Sequence, residues 1–210
     1  MSESRVTAGP ARRPISGPRR CQRHELALHR AGDPCRDELE RFVHDVFVSR
    51  HGAHVCSFMP TLLAMRNETG VVCSVAGFRS AADRPLFLER YLDEPIEQAI
   101  ASSLGQHVSR SQIVEVGNLA GRNCRSAIRL VLDLPRILLD RGHRWMVFTA
   151  TDTLRELLTG YHAPLLDLGA APAARAHNTG DDWGRYYDSH PRVMAGFLQD
   201  GLGLCRRHRK

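Results

Sequence analysis

Leu39, Phe42, Val43, Val46 and Phe47 recur at i, i+3, i+4, i+7 and i+8, which predicts a helix over residues 33–52 with one face on a core. Asp33 reads as its N-cap, Pro34 as a first-turn residue and Gly52 as its stop, while Arg36, Asp37, Glu40 and Arg41 read as a solvated face. Two apolar runs around Asn67-Glu68-Thr69-Gly70 predict a hairpin over 61–81. Residues 84–105 alternate apolar and charged at helical spacing, broken at Pro95, where Pro-Ile-Glu-Gln opens a second helix. A strand follows over 112–120, then a short loop, a helix to about 141, a nearly all-apolar strand over 145–151 and a short helix over 151–162 capped by Thr151 or Asp152. Pro135 inside the long helix removes a hydrogen bond at roughly 3 kcal/mol, which predicts a kink. The remainder, ending in Asp-Asp-Trp-Gly-Arg-Tyr-Tyr, is of mixed character, and no repeat is visible. The order of elements implies a mixed sheet covered on both faces, an α/β (mixed α+β) fold.

Within that frame the stretch Ile-Val-Glu-Val-Gly-Asn-Leu-Ala-Gly, residues 113–121, is unusual for a strand. Strict alternation places Ile113, Glu115, Gly117 and Leu119 on one face and Val114, Val116, Asn118 and Ala120 on the other. A glycine inside a strand marks a bulge or the close approach of a ligand or another backbone, and a bulge releases N–H groups from the ladder. Such donors beside a partly desolvated acid can polarise a carbonyl while Glu115 takes a proton from an amine. The competing reading is an edge of sheet with Glu115 paired to an arginine. The following loop carries Gly121, Arg122, Arg125 and Ser126 into a helix N-terminus, a setting that binds phosphate through unpaired N–H groups. Residues 117–126 are therefore the candidate seat for a thioester and its phosphates.

Composition narrows the remaining classes. The chain has 210 residues, 42% of them hydrophobic and 25% charged, so one core-forming domain is expected over 25–200. Residues 1–24 read as a disordered basic leader without a secretory apolar core, and 201–210 as a basic tail, which points to a cytoplasmic location. Much of the net charge of +6 lies in these ends, so specific nucleic-acid binding is not expected, whereas peripheral contact with a membrane remains open. Six cysteines lack CxxC spacing and eleven histidines lack HExxH spacing, so neither a disulfide framework nor a metal is expected. Cys124 is a candidate for a covalent acyl intermediate, but it has no His or Asp nearby in sequence, which favours an inert thiol.

The segments RDELERFVHDVF, FMPTLLAMR, AGFRSA, PLFLERYLDEPIEQAI, IVEVGNLA, WMVFTAT and WGRYYDSHPRVMAG resemble the thermostable hemolysin family over about residues 35–197. That pattern is similar in turn to the GNAT acyltransferases and, among them, to acyl-homoserine-lactone synthases. The resemblance implies a GNAT-like, mostly antiparallel central sheet flanked by helices on both faces, no tightly bound cofactor, and an acyl-CoA or acyl-carrier-protein thioester as co-substrate and partner. It also matches Arg36 and Phe42 to an Arg and a Phe of an amphipathic helix, Arg79 to a strand-closing Arg that binds an acidic group, and Glu115 to the central-strand Glu. The synthases carry an Arg three residues after that Glu; here it is Asn118, which argues against lactone formation. The GNAT pyrophosphate loop is imperfect in GRNCRSA, which leaves CoA and carrier protein both open as donors.

Tyr161 stands after the last short helix, where GNAT enzymes often place the acid that protonates the departing thiolate; a surface tyrosine is the other reading. Arg79 and Arg90 are candidates to pair with Glu115, Glu89 or a substrate carboxylate. The aromatic segment 183–191 either walls an acyl pocket or, more simply, caps the open end of the sheet. The function expected is N-acyl transfer from a thioester to a small amine or amino-acid-like acceptor. A membrane-active hemolysin and a non-catalytic acyl-binding module are the alternatives.

Overall fold

The structure is a computed structural model that describes residues 24–176 and 180–208, with side chains given to residue 203. The leader expected over 1–24 lies, apart from its last residue, outside the described residues. The strands are β1 (Glu25–Arg30), β2 (Thr61–Arg66), β3 (Val72–Ser80), β4 (Ile113–Gly121), β5 (Trp145–Ala150), β6 (Leu165–Ala170) and β7 (Arg192–Phe197). The helices are α1 (Arg36–His51), α2 (Ile96–Leu104), α3 (Cys124–Leu139), α4 (Asp152–Gly160) and α5 (Leu198–His208). One seven-stranded sheet runs β1-β2-β3-β4-β5-β7-β6, and its strand pairs are antiparallel except β4 with β5, which α3 connects as a crossover.

Alternation along the strands sends side chains to two helical layers. On one face Leu130, Val131 and Leu134 of α3, Leu158 of α4 and Leu198 of α5 pack on Val114, Val116, Met146 and Phe148. On the other, Ile96 and Ile100 of α2 meet Ile113 and Val147, and Leu39 and Val43 of α1 meet Leu62, Val75 and Ala120. The mostly antiparallel sheet with helices on both faces is thus the fold expected. No helix among the described residues is long and apolar enough to cross a membrane.

Several local expectations change. Helix α1 begins at Arg36, not at Asp33, because the Asp33 carboxylate takes the Cys35 N–H at 2.9 Å and makes a turn there; Gly52 closes the helix at φ +64° as expected. The first half of 84–105 is a 3-10 turn over Phe87–Tyr91, since side-chain carboxylates take its first backbone donors: Glu89 accepts from Leu86, and Glu115 from Phe87 and Leu88. Helix α3 contains Pro135 and continues past it to Leu139, close to the end expected near 141. Strands β1, β6 and β7 and helix α5 were not expected, and α5 continues across residue 200, where the sequence ends the domain.

Candidate active site

β4 and β5 pair only from Ile113↔Trp145 to Val116↔Phe148; beyond that, β4 stays on β3 and β5 on β7, so the two central strands part. The parting coincides with a bulge. Val75 and Gly77 of β3 are two residues apart, but their partners Ala120 and Gly117 are three apart, so β4 carries one extra residue. Asn118 absorbs it at φ +48°, a left-handed conformation that asparagine tolerates better than most residues. The bulge also reverses the alternation: Leu119 packs with Val114 and Val116, and Ala120 turns to the α1 side, the opposite of strict alternation.

A chain segment crosses the sheet at this place. Met59 lies over Gly77 and Gly117, where an added Cβ would stand 2.6 Å from Met59 Cβ and 2.7 Å from Met59 Cε respectively. Asn118 accepts from Met59 N at 2.8 Å and donates to Ser57 O at 3.2 Å. From the other side the buried Arg36 guanidinium, 8% exposed, donates to the carbonyls of Met59 (2.6 Å), Pro60 (3.3 Å) and His29 (3.4 Å) and pairs with Glu40. The glycines and asparagine of β4 therefore fit a backbone crossing, and Arg36 holds the same crossing in place.

The parted strands open a cleft of about 730 Å³ lined from both faces of the sheet. Its apolar limb lies between α3 and α4 and is walled by Ile128, Val131, Leu134, Met146, Phe148, Leu154 and Leu157. Its polar limb is lined by Arg50, His51, Arg79, Arg84, Arg90, Trp183 and Tyr186. Glu115, 3% exposed, lies in the same lining, on the strand whose parting from β5 opens the cleft. Its carboxylate accepts from Phe87 N and Leu88 N, each at 2.9 Å, and Arg79 Nε is 2.9 Å away. The Arg79 N–H is not aligned on the oxygen, so the contact is an ion pair rather than a directed hydrogen bond. Burial pushes the Glu115 pKa up, and the Arg79 charge and the two amides offset only part of that rise. Burial, then the charges of Arg50 and Arg185, pushes His51 down and favours its neutral form.

A model of the thermostable hemolysin family matches residues 29–202. The chain belongs to this family. No curated protein matches this hemolysin-family chain. Among solved structures it is similar to the acyl-homoserine-lactone synthase LasI, with TM-score 0.59, 12% identity and coverage of 86% of this chain and 95% of that one. FeeM, an N-acyl amino acid synthase from uncultured soil microbes, gives TM-score 0.58, 12% identity and coverage of 86% and 93%. A GCN5-related N-acetyltransferase from Kribbella flavida gives 0.50, 14%, 82% and 97%. Identities this low show the shared acyltransferase-like fold.

In the hemolysin-family chain the structure brings together Glu115, Arg79, Gly117, Asn118, Leu119 and Gly121, all of which line the cleft. The other candidates fall elsewhere. Arg36 is spent on backbone carbonyls, and Phe42 packs in the α1 core with the Arg122 guanidinium 5.7 Å from its ring; neither lines the cleft. Arg79 holds Glu115. Arg122 donates to Val72 O, and Arg125 is exposed outside the lining. Ser126 is consumed by the α3 cap: its N–H goes to the Asn123 side chain and its hydroxyl to Asn123 O, which removes one backbone donor from a phosphate site. Tyr161 is the C-cap of α4 and does not line the cleft. Glu89 pairs with Arg110, not Arg90; burial raises its pKa, but Arg110 and the N–H groups of Ile96 and Leu86 outweigh this and hold it at about 2. Arg90 instead stacks on Phe87 at 3.8 Å. Trp183 and Tyr186 wall the polar limb: Trp183 packs at a tilt on Phe87, and Tyr186 stacks on Phe47 and meets His51 edge-on, which corrects the expectation of a cap at the end of the sheet. The sequence reading missed Arg50, His51, Arg84 and the 57–59 crossing, and the one available signal for the crossing was the Gly77, Gly117 and Asn118 set.

Proposed function

We propose that the chain is a GNAT-like N-acyltransferase that moves an acyl group from a thioester to the amine of a small acidic, amino-acid-like acceptor. The observation that carries this reading is a cleft lined from both faces of the sheet, apolar on one side and arginine-rich on the other, with a buried carboxylate in its lining. The acyl chain fits the apolar limb. The thioester carbonyl sits against the β4 backbone beyond Val116, where β5 no longer pairs and N–H groups can polarise it. The acceptor enters by the polar limb, and its carboxylate meets Arg84 and Arg90, which have no carboxylate partner among the described residues. FeeM, solved as an N-acyl amino acid synthase, makes such an acceptor reasonable.

The amine nitrogen attacks the carbonyl carbon, the C–N bond forms, the C–S bond breaks, and the sulfur leaves as thiolate. Glu115 takes the amine proton. Of roughly four acceptor positions on a carboxylate, the two amides use two and Arg79 makes only an undirected ion pair, so a position is left for that proton. The proton reaches the thiolate through solvent or a cleft hydroxyl. Asn118 in place of an arginine supports an amide product over a lactone. The partly consumed α3 N-terminus weakens, without abolishing, recognition of a CoA pyrophosphate, so the carrier-protein thioester stands beside acyl-CoA as donor.

The test is incubation of purified full-length chain with acyl-CoA and acyl-carrier-protein thioesters and a pool of amines and amino acids, followed by mass spectrometry. The expected result is release of thiol with a new acyl amide that depends on Glu115. Intact thioester with every donor and acceptor would overturn the reading.

A further inference from the structure

The turn between β1 and α1 gathers three side chains of different ligating type within seven residues: His29, Asp33 and Cys35. Their donor atoms all lie within 4.8 Å of one another. His29 Nδ1 and Asp33 Oδ1 are 3.1 Å apart, close to the roughly 3.3 Å edge of a tetrahedron with metal–ligand bonds of about 2.0 Å. We infer that His29, Asp33 and Cys35 form a binding site for a divalent transition-metal ion, zinc above all. None of the three residues lines the cleft, and the site does not rest on the proposed acyl-transfer chemistry.

Two observations favour an ion over an ordinary turn. The His29 side chain is nine-tenths buried, yet neither ring nitrogen has an aligned hydrogen-bond partner among the described residues, although Nδ1 faces the Asp33 carboxylate. Buried polar nitrogens are normally satisfied, and a metal on Nδ1 would satisfy one of them. The charge count also closes. Arg36 is paired with Glu40 and Arg66 with Glu38, each at 2.6 Å, so these two cations are already matched, and Arg30 is exposed to solvent. One carboxylate and one thiolate then balance a divalent ion. Imidazole, carboxylate and thiolate together make a borderline-soft donor set that suits zinc rather than calcium or magnesium. Cys35 is exposed, which gives the ion an entry path and leaves a fourth position to water. The ion would clip the edge strand β1 to the start of α1.

The test uses the full chain stripped by a chelator and titrated with cobalt(II) and with zinc(II). The expected result is thiolate-to-cobalt charge-transfer absorption and tetrahedral ligand-field bands. Cys35→Ser should lose the charge-transfer band and one equivalent of bound zinc by calorimetry. Asp33→Asn keeps an oxygen for the Cys35 N–H, so it should preserve the turn while weakening zinc at least tenfold. An equal charge-transfer band in Cys35→Ser would place the metal on another cysteine and overturn the site. Absence of zinc uptake by the unaltered chain at micromolar metal would overturn it as well.

Discussion

At the scale of the residue, Glu115 holds two tasks in one carboxylate. It organises the 86–91 segment by accepting two backbone N–H groups, and it lies in the cleft lining. Its folded pKa lies above the ordinary 4.5 because burial dominates. An acid with a raised folded pKa contributes stability that is full below the unfolded pKa and lost as pH rises through the folded one. Unfolding titrations should therefore show this loss in the native chain and not in Glu115→Gln, and kcat/KM should rise with pH along a limb centred above 4.5 that the variant lacks. The same variant leaves Arg79 unpaired and one backbone donor poorly matched, so denaturant unfolding should show a loss of about 1–3 kcal/mol. A variant with full turnover and no change in pH profile would remove Glu115 from the chemistry. Glycine packing gives a sharper structural contrast. An added Cβ at Gly77 meets Met59 Cβ and Asn118 Oδ1, whereas at Gly117 it meets chiefly the mobile Met59 methyl. Gly77→Ala should cost about 1–3 kcal/mol and more than Gly117→Ala in paired unfolding curves.

The elements differ in how openly they announced themselves. The α1 stripe, the hairpin turn at 67–70 and the Thr151 cap were legible because each is set by neighbours in sequence; Thr151 does accept from Leu154 N. Strands β1, β6 and β7 are six residues each and owe their pairing to partners far along the chain, which no local period records. Arg36 shows the same limit at a site: a guanidinium that holds carbonyls and one that holds a substrate look alike until the path of residues 57–60 is known. Glu115 was legible because an acid among Val and Ile is anomalous wherever the strand lies. The bulge was expected at a glycine, but the extra residue sits at Asn118, whose side chain also ties down the crossing segment. Asn118→Gly keeps the backbone conformation and removes both ties. Hydrogen exchange at the Met59 amide should then speed up while the β3–β4 ladder stays protected, and protection at Met59 equal to that of the unaltered chain would show the tie to be idle.

For the whole molecule, the sheet acts as a partition opened at the parting of β4 and β5, and each face contributes a different chemistry to that opening. The apolar limb sets what acyl group is held. Leu154 stands on its wall in the first turn of α4, outside the sheet. Leu154→Trp should reduce turnover of long-chain thioesters at least tenfold while short-chain turnover is retained, read as kcat/KM across a chain-length series. Equal losses at all lengths would mean that the acyl group lies elsewhere.

The extra residue at Asn118 has a consequence for anyone who recombines this chain with a relative. The strand carries two phases of inward and outward positions, one up to Val116 and the other from Leu119, joined at a one-residue seam. A chimera that keeps all nine residues of β4 but takes β3 and the crossing segment from a relative without the bulge would pair residue 118 regularly and turn the second half of the strand inside out, sending Leu119 to the α1 layer and Ala120 to the α3 layer. It would also draw Gly121 out of register with the start of α3, so the seam has to be inherited whole.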